Sequence, residues 1–187
     1  VAFVRRLLKS LTGKYNIDPA RIYATGFSNG AGMTFRLGRE LSGMFASIAP
    51  VAGSDWLDTG TLSQPVSLLY ITGDEDFTNP IEGGEVRLGR KSYGVKPPVK
   101  EMLEKWIAML GCPSSPTVLE TAKKVSGVSF GPCERGGEVQ YYKVEGLGHN
   151  WPGGKKVLPE FLVGKTSDAL NATDLVWEFF RTHPKVK

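Results

Sequence analysis

The stretch YATGFSNGAG, residues 23–32, places one serine, Ser28, between two glycines. The run before it, RIYATGF, is short and rich in β-forming residues, and the run after it, AGMTFRLGREL, carries apolar side chains at helical spacing. The motif GFSNG thus fits the pattern G-x-S-x-G at a strand-to-helix junction, where a sharp turn can present a serine hydroxyl as a nucleophile. The alternative interpretation is a glycine-flanked surface turn without chemistry.

The composition indicates one globular domain over residues 1–187. Hydrophobic residues make up 41% of the chain, and 23 basic and 19 acidic residues, spread along it, give a net charge of +4. This pattern argues against a nucleic-acid-binding surface. No apolar run reaches the roughly 18 residues of a membrane span, and VAFVRRLLKSL at the start is typical of an amphipathic helix rather than a signal peptide.

Short apolar runs alternate with helical segments along the chain. FASIAPVAG and VSLLYITG each fit a buried parallel strand, EVQYYKVEG fits a further strand, and PVKEMLEKWIAML and ATDLVWEFFRTH fit helices. The stretch between Leu110 and Val139 is less regular, with VSGVSF as an additional candidate strand. This alternation predicts an α/β fold, a mostly parallel sheet flanked by helices.

A serine nucleophile needs a base, and the chain has two histidines. His149 lies in the loop GLGHNWPGG, directly after the predicted strand EVQYYKVEG, at the edge of a parallel sheet where active sites form. His183 lies at the end of the last predicted helix, where an imidazolium complements the helix dipole. We therefore predict His149 as the general base and His183 as a structural cap.

The acid that orients the base should lie between Ser28 and His149 in hydrolases that carry this turn. The candidates are Asp55, Asp74, Glu75 and Asp76. Asp74 and Asp76 follow the strand VSLLYITG, which is the more usual position, whereas Asp55 follows the preceding strand. Charge alone does not choose between Asp74 and Asp76.

Four segments together resemble the secreted polyhydroxybutyrate depolymerase and feruloyl esterase group of α/β-hydrolase esterases: IDPARIYATGFSNGAGMT, ITGDEDFTNPIEGG, GLGHNWPGG and DLVWEFFRTHP. In that group the second segment usually reads His-Gly-Thr-x-Asp with a proline a few residues later, which places Asp76, followed by Pro80, at the acid position. This chain has Thr72 and Asp74 where the group has its histidine and threonine. Asp74 therefore stays the second candidate.

The resemblance implies a serine esterase with the triad Ser28, His149 and Asp76 and a covalent acyl-enzyme. The backbone N–H of Asn29 is the expected oxyanion donor. Trp151 is a candidate substrate-binding residue, although a packing role explains it equally well. Feruloyl esters, acetylated xylan and hydroxyalkanoate oligomers stay open as substrates, and neither a cofactor nor a metal is expected.

The two cysteines, Cys112 and Cys133, have a spacing that fits no metal motif. From the sequence they are either a disulfide or two buried thiols. The resemblance implies the disulfide, which would indicate a secreted, extracellular or periplasmic protein.

The segment before the motif is short for this fold. One predicted helix precedes RIYATGF, whereas the resemblance implies earlier strands and a loop that supplies a second oxyanion N–H. We therefore expect the C-terminal portion of an esterase domain, truncated at its N-terminal strands, with an exposed sheet edge that favours a homo-oligomer. Without the second donor the isolated chain should be a weak esterase.

Alternatives from other classes stay open. One is a polymer- or carbohydrate-binding module with this fold and impaired catalysis, and another is an interaction or structural protein in which the turn is incidental. Within the hydrolases, thioesterase or peptidase activity is compatible with the same triad.

Overall fold

A mixed six-stranded sheet forms the centre of the computed structural model, which describes residues 1–57, 61–88 and 91–185. The helices are α1 (Ala2–Lys14), α2 (Asn29–Glu40), α3 (Val99–Leu110), α4 (Glu160–Val163) and α5 (Ala172–Thr182). The strands are β1 (Tyr23–Phe27), β2 (Ser47–Val51), β3 (Ser67–Gly73), β4 (Gly84–Leu88), β5 (Lys91–Lys96), β6 (Thr117–Leu119), β7 (Val125–Phe130) and β8 (Val139–Val144).

The strand order in the large sheet is β1-β2-β3-β8-β7-β6. The pairings from β1 to β8 are parallel, and β7 and β6 add two antiparallel pairings at the far edge. The predicted sheet, mostly parallel and flanked by helices, is therefore confirmed. The candidate strand VSGVSF is also confirmed, as β7.

The central strand β3 is buried along its whole length. Its side chains alternate between two hydrophobic clusters, with Leu68 and Tyr70 on the side of α2 and α3, and Leu69 and Ile71 on the side of α5. Burial on both faces explains the continuous apolar run VSLLYITG, because a helix covers each side of a parallel strand. At about 2 kcal/mol for each large apolar side chain, these two layers hold the sheet together.

The strands β4 and β5 form a separate antiparallel hairpin that the sequence patterns did not predict. Its base is held where Val99 N–H donates to Ile81 C=O at 2.8 Å. The strands carry many polar and charged residues, so hydrophobic periodicity gave no signal for them.

Strand β1 is the edge of the large sheet, as expected, and within the described residues no strand pairs with its outer side. One face of β1 is covered where the Tyr23 ring stacks on Phe180, with ring centroids 4.7 Å apart. Association through this edge stays a prediction. No helix in the described part of the chain is long and apolar enough to cross a membrane.

Cys112 and Cys133 form a disulfide that joins the end of α3 to the loop before β8. The bond closes a loop of 21 residues in sequence separation. The pairing implied by the resemblance is thus present.

Reducing this disulfide is expected to lower the free energy of unfolding by about 3 kcal/mol. The reason is that the unfolded chain regains the conformational entropy that a closed loop of this size had removed. Urea unfolding with and without a thiol reductant measures the difference, and non-reducing peptide mass spectrometry identifies the linked pair. A Cys112→Ala, Cys133→Ala double variant is the control and should not respond to the reductant. Two freely alkylatable thiols in the native protein would contradict the assignment.

Candidate active site

The serine of the motif occupies a strained turn between β1 and α2. Ser28 is the residue before the first residue of α2, with φ 56° and ψ −115°, a region that non-glycine residues rarely adopt. Its N–H donates to Val51 C=O at 2.9 Å, which fixes the turn against β2. Such a turn raises the side chain above the carboxyl ends of the strands.

The close approach of backbone segments explains one of the two motif glycines. A Cβ on Gly26 would lie 2.4 Å from the carbonyl oxygen of Gly30, whereas a Cβ on Gly30 would have no neighbour within 4 Å. A second glycine is needed across the turn, because a Cβ on Gly53 would lie 2.4 Å from the carbonyl oxygen of Ser28. The sequence reasoning singled out the motif glycines but missed Gly53, which ends the next predicted strand.

Three of the predicted residues meet at the carboxyl edge of the sheet. Ser28 Oγ lies 2.7 Å from His149 Nε2, and His149 Nδ1 lies 2.8 Å from Asp76 Oδ2. With Asp76 as a carboxylate, the Nδ1–H of His149 donates to it, and Nε2 is left to accept the Ser28 hydroxyl proton. The Asp76 side chain is fully buried, and that of His149 is 13% exposed.

The second oxygen of Asp76 is also fully engaged. Asp76 Oδ1 accepts hydrogen bonds from Thr78 N–H, Thr78 Oγ1–H and Asn79 N–H, each at 2.9 Å. Three donors stabilise the buried carboxylate and turn its other oxygen towards His149. Asp74 instead accepts from Gly146 N–H at 2.7 Å, so its contact supports the loop before His149.

A polar network ties the turn after Asp76 to the loop after β2. Asn79 Nδ2–H donates to the Tyr70 hydroxyl at 3.1 Å, and the Tyr70 hydroxyl donates to Gly53 C=O at 2.6 Å. Ser54 Oγ–H donates to Asn79 Oδ1 at 2.9 Å. Burial raises the pKa of Tyr70 well above its ordinary value, so Tyr70 stays a hydroxyl donor.

Asp55, one of the acid candidates, is used elsewhere. Its Oδ2 accepts from Arg39 Nε at 2.7 Å and from Trp106 Nε1 at 3.0 Å, inside the core. This buried ion pair anchors the loop that carries the next residue, Trp56. No local pattern predicts this contact, since Arg39 lies on α2 and Trp106 lies on α3.

His183 lies apart from the serine and ends α5, where it was predicted as a cap. Its Nδ1 lies 2.8 Å from Phe179 C=O and its Nε2 lies 2.7 Å from Glu138 Oε2. The hydrogen bond from His183 is the main reason that the pKa of Glu138 falls to about 2. This pair links the residue before β8 to the residue after α5.

A cavity of about 620 Å³ opens over the serine. It is lined by residues from the turn, the loop after β2, the β4–β5 hairpin and the segment around α4, namely Ser28, Asn29, Ser54, Trp56, Thr78, Val86, Tyr93, Lys96, His149, Leu158, Leu162 and Val163. The hairpin and α4 were both missed from the sequence. Among the described residues, no group of His, Cys, Asp and Glu side chains could hold a metal ion.

Asn29, the expected oxyanion donor, and Trp151, the candidate substrate-binding residue, lie in different surroundings. Asn29 lines the cavity and begins α2, and the first N–H groups of a helix have no intrahelical acceptor. Trp151 packs beside the cluster around Val144 and donates from Nε1 to Thr173 Oγ1 at 3.1 Å. It is absent from the described lining, so its substrate role stays a prediction, and the tryptophan in the cavity wall is Trp56.

Comparison with known proteins gives esterases as relatives. A protein named as an esterase, NocK of Nocardia uniformis subsp. tsuyamanensis, is 29% identical over 96% of this chain and 56% of its own length. Feruloyl esterase B of Piromyces equi is 29% identical over 83% of this chain and 30% of its length. Poly(3-hydroxyalkanoate) depolymerase C of Paucimonas lemoignei is 24% identical over 80% of this chain and 40% of its length. The chain thus spans about half or less of these relatives.

The fold has a counterpart among solved structures. The crystal structure of a thermostable esterase superposes with a TM-score of 0.54, covering 98% of this chain and 36% of that chain at 17% identity. The chain has an α/β-hydrolase fold, as predicted. No protein-family model matches the chain.

Proposed function

We propose that this protein is a serine hydrolase that cleaves carboxylic esters through an acyl-enzyme. The observation that carries the proposal is the continuous hydrogen-bond chain from Ser28 Oγ through His149 to the buried Asp76, placed at the floor of a cavity. The esterase names of its relatives support the same reaction type.

In the first half-reaction, Ser28 Oγ attacks the ester carbonyl carbon while His149 Nε2 takes the hydroxyl proton. Asp76 holds the ring so that Nε2 is the free nitrogen and stabilises the imidazolium that forms. The oxyanion accepts a hydrogen bond from Asn29 N–H, with the positive end of α2 behind it. The imidazolium then protonates the leaving alcohol as the C–O bond breaks.

In the second half-reaction, water attacks the acyl-serine and gives its proton to His149 Nε2. The tetrahedral species breaks down to a carboxylic acid, and His149 returns the proton to Ser28 Oγ. Atoms balance as ester plus water to acid plus alcohol. The second oxyanion donor expected for this fold is not assigned to any described residue.

The cavity walls support an acyl or alcohol group with an apolar body. Leu158, Leu162 and Val163 provide an aliphatic wall, and Trp56 and Tyr93 provide aromatic surface on which a planar ring can stack. Feruloyl and acetyl esters of plant polysaccharide, and hydroxyalkanoate oligomers, are the proposed substrate range, and the names of the feruloyl esterase and the depolymerase support the first and the last of these. The disulfide supports an extracellular or periplasmic site.

A fluorophosphonate probe is expected to label Ser28 alone, and the wild-type protein should hydrolyse members of a panel of 4-nitrophenyl esters from acetate to octanoate together with methyl ferulate. Peptide mass spectrometry locates the label, and released nitrophenol or ferulate measures turnover. Ser126→Ala, which removes an exposed serine on β7, is the matched control and should be labelled as the wild type is. A folded protein that takes no label and cleaves no ester would favour the non-catalytic binding module instead.

A further inference from the structure

Lys96 at the end of β5 is the one lysine, arginine, aspartate or glutamate among the described residues that line the cavity over Ser28. Its Nζ lies 4.7 Å from the centroid of the Trp56 ring. A cation above the face of a tryptophan is attracted by the ring's negative face. This contact holds the ammonium group against the cavity wall, and Trp56 is held in turn by the anchored loop after β2.

The ammonium group has no carboxylate partner within ion-pair distance in the described part of the chain. Two exposed lysines do have such a partner, since Lys100 pairs with Glu104 and Lys165 pairs with Glu75. Burial lowers the pKa of Lys96, and the charge of Asp76 offsets only part of that effect. Asp76 itself is occupied by His149, Thr78 and Asn79.

A half-buried cation with an aromatic contact, and with no carboxylate partner among the residues that the structure describes, is favoured by an anionic ligand. The rest of the lining fits the remainder of such a ligand, because Leu158, Leu162 and Val163 form an aliphatic wall and Ser28 lies in the same cavity. One molecule can therefore meet the nucleophile with its ester, the aliphatic wall with its carbon chain and Lys96 with its charge.

We propose that Lys96 binds a carboxylate of the substrate, so that the preferred substrates are esters that carry a free carboxylate in addition to the scissile bond. This inference rests on the proposed esterase function of the same site. The carboxylate is on either the acyl or the alcohol part, and the experiment below distinguishes the two.

The first test compares kcat/KM within two matched pairs of esters. Mono-4-nitrophenyl adipate and its methyl ester carry or lack the charge on the acyl side, and 3-carboxyphenyl hexanoate and its methyl ester carry or lack it on the alcohol side. In one pair the charged ester should be favoured, and Lys96→Met should lower the charged-to-neutral ratio by about tenfold, between the effects of exposed and buried ion pairs. Lys96→Arg should keep most of the ratio, and added salt should reduce it in the wild type.

Lys100→Met is the matched control, because Lys100 is an exposed lysine on α3 outside this cavity. It should leave both ratios unchanged. Equal ratios in the wild type and Lys96→Met for both pairs, with the neutral esters still cleaved, would overturn the inference and leave the proposed function standing.

The second test does not depend on turnover. In a Ser28→Ala background, calorimetry should find that monomethyl adipate binds about tenfold more tightly than dimethyl adipate, and that adding Lys96→Met removes the difference. Equal binding of the two esters would count against the role of Lys96. If the wild type cleaves no ester at all, the proposed function fails, and this binding comparison still decides whether the cavity selects a carboxylate.

Discussion

Ser28→Ala and His149→Ala are each expected to reduce kcat for 4-nitrophenyl butyrate by at least about a thousandfold, with losses up to about 10⁶ typical of triads that act as one unit. The reason is the 2.7 Å contact between Ser28 Oγ and His149 Nε2, which makes nucleophile and base useless without each other. The double variant should therefore have about the same residual kcat as the less active of the two single variants. Nitrophenol release is measured by stopped-flow absorbance for the wild type and over hours for the variants, so that both fast and slow turnover are covered.

The matched control for the base is His183→Ala, because the chain contains one other histidine and it contacts Glu138 rather than the serine. This variant should keep its turnover at temperatures where it is folded. Circular dichroism should show that all three variants are folded. Ser28→Ala removes only one hydroxyl, His149 lies on a loop after β8, and His183 lies after the last helix. Residual activity above about a thousandth of wild type in Ser28→Ala or His149→Ala would count against the triad.

Asp76→Asn is expected to lower kcat by about 10⁴, whereas Asp74→Asn should cost less than about tenfold. An asparagine at 76 can keep the bonds from Thr78 and Asn79 through its oxygen, but it then turns its NH₂ group towards His149 Nδ1. That donor favours the tautomer with the proton on Nε2, which cannot accept the Ser28 proton. Asp74 touches Gly146 N–H instead, so its replacement perturbs a loop and not the tautomer.

The two asparagine variants are matched in size and charge change, so comparing them isolates position. Each is assayed for kcat with the same ester and for its melting temperature. A larger loss in Asp74→Asn, at equal folded fraction, would transfer the acid role to Asp74.

Local sequence patterns were enough to predict the secondary structure around Ser28 and His149. The strand-turn-helix around Ser28 and the loop after a strand at His149 are both visible as periodicity interrupted by glycine. Charge alone did not choose between Asp74 and Asp76, because two carboxylates two residues apart differ mainly in the donors that surround them, and the preference for Asp76 came from the resemblance. In the structure Thr78 and Asn79 donate to Asp76 and Gly146 donates to Asp74, and the two asparagine variants test the acid role.

The walls of the cavity could not be predicted in the same way. The hairpin of β4 and β5 is polar, and α4 has four residues, too few for a helical period to appear. Nearness to His149 in sequence suggested Trp151 as the aromatic residue, which bonds to Thr173 and keeps its substrate role as a prediction. Trp56 reaches the cavity because Asp55 is anchored in the core by Arg39.

The β4–β5 hairpin and the strand that leads into the turn at Ser28 belong to different hydrogen-bonded sheets. The turn at Ser28 depends on the parallel sheet and on Gly26 and Gly53, where a side chain would meet the backbone, whereas β4 and β5 follow and precede the hydrogen bond between Ile81 and Val99. Under the proposed mechanism, substitutions in β4 and β5 should therefore change which esters fit the cavity more than they change the reactivity of Ser28. We therefore expect proteins with this architecture to diverge in the hairpin, and with it in substrate range, while the turn at Ser28 stays the same.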